Sequence, residues 1–104
     1  MIIMRDPKFN QLRYDAATIT VANGQTNRNI KSNESDLFNT VPEANKTIIS
    51  TDVTITIRLN DNTNWAIVMT STESPKVFDA GKVSNLFITN ASWGAATVKV
   101  ELYS

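Results

Sequence analysis

The sequence predicts an all-β chain: a single antiparallel β-sandwich of about eight short strands, in a jelly-roll or immunoglobulin-like arrangement. Three observations carry this expectation. Two segments, residues 53–59 and 96–102, alternate strictly between apolar and polar residues, the period-two pattern of a half-buried strand. Twelve Asn and thirteen Thr stand beside only three Gly and three Pro; Thr is β-branched and suits strands, whereas Asn suits the turns between them. Turn-forming residues also recur about every 8–12 positions, a spacing that marks small sandwiches and barrels. At 104 residues without a cysteine, the chain has the size of one domain and the length to bury a core without disulfides.

Taken in order, residues 1–14 read as an N-terminal arm and residues 15–104 as the sandwich. The first strand contains Thr18-Ile19-Thr20-Val21 and ends at Asn23-Gly24. That dipeptide predicts a type I′ hairpin, a turn with positive φ at both central residues. Its partner would be the polar segment 25–31, placed at a sheet edge where polarity discourages stray pairing. Residues 32–43 offer one helical turn, with Asn33 as its cap, Asp36 at its third position and Pro42 as its stop. Strands are expected at 46–50 and 52–59, the latter broken by Asn60-Asp61-Asn62-Thr63-Asn64. Residues 65–70, 76–78 and 83–90 are further strands, and 96–102 is the last.

Two of these strands depart from one-face alternation. Every position of Trp65-Ala66-Ile67-Val68-Met69 is apolar, and Phe87 falls on the face opposite Leu86 and Ile88. An antiparallel strand apolar on both faces needs cover on both. A loop or the N-terminal arm can supply it over a central strand; so can a second subunit. Trp93 lies in Asn90-Ala91-Ser92-Trp93-Gly94-Ala95, at the expected tip of a hairpin joining the last two strands. An exposed Trp there is an interface anchor or a sugar-stacking platform; folded back, it is a lid over the open end of the sandwich. The candidate interface residues are therefore Trp65, Ile67, Met69, Phe87 and Trp93, and the expected assembly is a homo-oligomer, with a trimer favoured.

The chemistry is defined by what is missing. Without His or Cys the chain lacks the commonest general base, the thiol nucleophile and the commonest transition-metal ligands. Its three glycines, at 24, 81 and 94, build no phosphate loop. The acids are scattered, mostly in turns or beside strand ends. The oxygen-rich run at residues 60–64 carries a single charge and lacks the acid spacing and Gly of a calcium loop, so it reads as a hairpin turn. No catalytic, cofactor or metal residues are assigned, and the expectation is a non-enzyme. Ten basic residues balance ten acidic ones, whereas nucleic-acid binders carry a basic surplus for phosphate contacts. Arg5, Lys8 and Arg13 near the N-terminus are interleaved with Asp6 and Asp15. The opening apolar run, Met1 to Met4, is shorter than the roughly 7–15 residues of a secretory core. No stretch approaches the ~20 apolar residues of a helical membrane span. Neither a nucleic-acid nor a membrane partner is expected.

Ser74-Pro75, the strand Val83-Ser84-Asn85-Leu86-Phe87-Ile88-Thr89-Asn90-Ala91-Ser92 and the closing Ala96-Thr97-Val98-Lys99-Val100-Glu101-Leu102 resemble the ending of small β-rich virion proteins of tailed bacteriophages. The opening Met4-Arg5-Asp6-Pro7 is similar in style. The resemblance implies a capsid decoration (cement) protein, or another repeated component of head or tail. Such a protein would be assembled in the host cytoplasm and bind other virion proteins such as the major capsid protein. It carries over no site residues. The alternative from the residues themselves is a carbohydrate- or receptor-binding sandwich that uses Trp93 or Trp65.

Overall fold

The alternating segments become central strands. A computed structural model describes residues 13–33 and 37–104, and among these it contains eight strands in two antiparallel sheets. They are β1 (Tyr14–Val21), β2 (Arg28–Asn29), β3 (Lys46–Thr51), β4 (Ile55–Leu59), β5 (Ile67–Met69), β6 (Lys76–Phe78), β7 (Leu86–Thr89) and β8 (Ala96–Tyr103). One sheet has the order β1-β8-β3-β6 and the other β2-β7-β4-β5. Residues 1–12, most of the arm expected from the sequence, lie outside the described residues.

The pairing decides between the two sandwich topologies. β1 pairs with β8, β2 with β7, β3 with β6 and β4 with β5. One long ribbon folded at the β4–β5 turn gives these four pairs. Rolling that ribbon up adds the contacts β3–β8 and β4–β7. This is the jelly roll.

Burial follows the period of two. Ala96, Val98, Val100 and Leu102 of β8 are fully buried, while Thr97 and Lys99 between them are exposed. Ile55 and Ile57 of β4 face them from the second sheet together with Met69, Leu86 and Ile88. Leu37, Phe38 and Val41 close one end of this core from the long β2–β3 connection. A two-way backbone bridge between Ala44 and Val83 pins that connection in place, at 2.8 and 2.9 Å.

Four local expectations change. Asn23-Gly24 does not join paired strands: β1 and β2 belong to different sheets, so the turn is a crossing between layers. Of the two turn residues only Gly24 has a positive φ, +85°, and Gln25 N–H donates to Ala22 C=O, the type II pattern rather than I′. Its partner segment nonetheless holds an edge strand, β2. The Asn90–Ala95 segment is likewise a crossing, because β7 and β8 are in different sheets. The helical turn, α1 (Ile30–Asn33), begins two residues before the expected 32–43 segment. Its cap is Asn29, whose Oδ1 accepts from Ser32 N–H at 3.1 Å, the N-cap geometry that Asn33 was expected to provide. Asp36 lies outside the described residues. Finally, β5 is an edge strand and not a central one; its outward Val68 is 59% exposed.

Antiparallel pairing fixes which loops share an end. The connections at 22–27, 52–54, 70–75 and 90–95 gather at one end of the strands. Those at 30–33 and 37–45, 60–66 and 79–85 gather at the other.

Candidate functional site

The 90–95 connection is built around a buried side chain. Asn90 is fully buried. Its Nδ2 donates to Val21 C=O and Gly94 C=O, both at 2.8 Å. Its Oδ1 accepts from Ser92 N–H at 3.0 Å and Ser92 Oγ–H at 2.7 Å. The bond to the backbone two residues on is an Asx turn, the local geometry in which Asn competes with regular structure. Backbone bonds from Gly24 N–H to Asn90 C=O, 2.7 Å, and from Asn90 N–H to Gln25 C=O, 2.9 Å, tie this loop to the 22–27 crossing.

Trp93 stands on that frame. Its backbone has φ of +78°, a left-handed conformation uncommon for a bulky L-residue. The Asn23 side chain holds it there, accepting Trp93 N–H on Oδ1 at 3.0 Å. The indole is 92% exposed. The local frame thus maintains a strained backbone whose side chain is directed into solvent rather than into the core. Strained positions of this kind cluster at functional sites. The lid reading of Trp93 has no counterpart in this conformation.

The other four candidates do not join it. Trp65, 91% exposed, follows the 60–64 turn and so lies at the opposite end of the strands. Met69 is fully buried and Ile67 half-buried; they pair with Ile55 and Ile57 and pack with the core, so both point inward and Val68 takes the outer position. Phe87 is buried, at 9% exposure, yet lies outside the core cluster that holds Leu86 and Ile88. In register it sits between Arg58 of β4 and Asn29 of β2. The five residues form no common surface. The ones missed by sequence reasoning are Asn23 and Asn90; the Asn-x-Ser pattern at 90–92 was the available signal for an Asx turn.

At the far end, Asn60 performs a matching structural task. Its φ is +71°, its Oδ1 accepts from Ser84 N–H at 2.7 Å, and its Nδ2 donates to Lys82 C=O at 3.0 Å. This fastens the 60–66 turn to the 79–85 connection. Beside it opens a cavity of about 310 Å³ lined by Leu59, Val77, Phe78 and Val83, with Asp79 and Lys82 among its polar lining residues. Lys82 lies 3.6 Å from Glu43, both exposed.

The oxygens of the 60–64 run are committed to the turn itself. Asp61 Oδ1 accepts from Thr63 N–H at 2.9 Å and Thr63 Oγ1–H at 2.8 Å, and these bonds hold the carboxyl below its ordinary pKa. Asn64 Nδ2 donates to Leu59 C=O at 2.7 Å. Among the described residues, no three acidic side chains gather where they could share a cation. Thermal unfolding in EDTA and in millimolar calcium is accordingly expected to give the same midpoint; a rise of several degrees with calcium would contradict this account of the turn.

Compared with protein-family models, curated proteins and solved structures, the chain matches none.

Proposed function

We propose that this protein is a non-enzymatic structural component of a phage particle, a decoration protein that binds its neighbours through protein–protein contacts. The observation that carries the reading is Trp93: a fully displayed indole on a strained, hydrogen-bonded loop. Trp is the residue type most enriched among interface anchors, and rigid display lowers the ordering cost of binding. The neutral composition and the resemblance of Ser74-Pro75, residues 83–92 and residues 96–102 to small virion proteins support the particle context. The jelly roll is common in capsid proteins but also in lectins, so topology alone does not choose between them. The alternative, a carbohydrate- or receptor-binding module, draws on the same indole. Sugar platforms set several aromatic rings on one face, whereas Trp65 and Trp93 stand at opposite ends.

The discriminating variant is Trp93→Gly. Removing a left-handed non-glycine relieves about 1–2 kcal/mol, against about 0.5–1 kcal/mol for the added freedom of glycine. The isolated domain should therefore be as stable as wild type or up to about 1.5 kcal/mol more so. In the cells where the protein is made, wild type should co-sediment with particles visible by negative-stain microscopy, and Trp93→Gly should remain in the soluble fraction. Wild-type protein found only in the soluble fraction would contradict the reading. Saturable shifts of tryptophan emission on adding oligosaccharides would favour the alternative.

A further inference from the structure

The two ends of the sandwich carry complementary features. One presents the Trp93 indole; the other holds the apolar cavity between the end of β4 and the 79–85 connection. We propose that Trp93 of one copy inserts into this cavity of a second copy, so that the protein self-associates head to tail. The inference deepens the function proposed above and rests on its reading of Trp93 as a contact residue.

Size and chemistry both fit. A cavity of about 310 Å³ is at the lower end for ligand sites, about 300–1,000 Å³, and suits one bicyclic ring. Leu59, Phe78 and Val83 offer apolar walls. Phe78 adds a ring edge or face for aromatic contact. Lys82 and Asp79 also line it, a cation of the kind that stacks on an indole face and a carboxylate of the kind that accepts an indole N–H. Both partners are held in place before they meet: Trp93 by Asn23 and Asn90, the cavity wall by the Asn60 bonds to Ser84 and Lys82. A formal net charge of zero means that copies do not repel one another at long range. Because knob and cavity lie on opposite ends, the contact is heterologous. It closes into a ring or grows into a filament, according to the rotation between copies. A ring of three is the form in which the expected trimer would arise.

A single anchor buries less surface than a standard interface, so the free protein should associate weakly and gain strength from repetition on a particle. The test uses light scattering and Trp93 emission, in a Trp65→Phe background, across a concentration series. Wild type should grow in mass with concentration while Trp93 emission shifts to the blue. Trp93→Ala should remove the growth in mass, weakening association at least about tenfold. Gly81→Trp should do the same from the other side. Gly81 lines the cavity, has no positive φ, and has open space around an added Cβ, so the fold accepts a bulky side chain at the cavity's rim. Mixed together, the two variants should form one-to-one dimers and nothing larger, since only one intact knob and one intact cavity remain. Wild type that stays monomeric, variants that associate as wild type does, or a mixture that fails to complement would each overturn the proposal. Co-sedimentation with particles in the absence of self-association would locate Trp93 on a different protein, leaving the particle role standing.

Discussion

Phe87→Asp should lower the stability of the isolated domain by about 4 kcal/mol or more, a large share of the roughly 5–15 kcal/mol that holds a domain together. Phe87 is buried within the single chain although it lies outside the cluster that holds Leu86 and Ile88. Truncating a buried Phe alone costs about 3–5 kcal/mol, and the substitution also places a carboxylate where water is excluded. Arg58 stands directly across on β4 and offers a partner. Pairing a charge at a largely buried position returns little once its desolvation is counted, too little to offset the loss. Urea unfolding followed by circular dichroism measures the effect. A variant that unfolds at the wild-type midpoint would show that Phe87 is not held by its own chain and would return it to the interface.

Asn90→Ala should cost about 3 kcal/mol and loosen the Trp93 loop at the same time. The substitution leaves Val21 C=O, Gly94 C=O and Ser92 N–H without their side-chain partners. Each buried group left unsatisfied costs about 1–3 kcal/mol, partly recovered where water reaches the loop. Ser92→Ala removes one hydroxyl, and with it two contacts, to Asn90 and to Gly94, and should cost no more than about 1 kcal/mol. A large difference between the two variants in thermal unfolding supports Asn90 as the organiser of the loop. Equal, small effects would mean that the backbone bonds to the 22–27 crossing hold it unaided.

The strands were legible because burial on one face writes itself into the sequence. Val53, Ile55, Ile57 and Leu59 all turn toward the interior, as their period of two requires, and residues 76–78 form β6 with the expected bounds. Connectivity was not legible. Asn23-Gly24 has the composition of a hairpin turn, but the strands it joins pair elsewhere, with β8 and β7. Local turn chemistry is similar for a hairpin and for a crossing between layers; the choice is made by contacts some 60 to 90 residues apart in sequence, such as Tyr14 with Tyr103. The all-apolar run at 65–69 misled for a related reason. Apolar residues on both faces imply a central strand, yet β5 is at an edge, with Met69 inside and Val68 outside. For the site, the exposed indole was open to inspection in the sequence, but its rigidity was not, because Asn23 and Asn90 reach Trp93 and Val21 from positions about 70 residues away.

Trp93 is either a displayed contact residue or a lid on its own domain. Acrylamide quenching of Trp93 emission, in Trp65→Phe protein, reads this directly. In dilute monomer the emission should be red-shifted and quenched as freely as that of an indole in water, matching 92% exposure, and it should become protected in the assembled state. Blue-shifted emission already shielded from acrylamide in the dilute monomer would place Trp93 against its own sandwich and contradict the central claim.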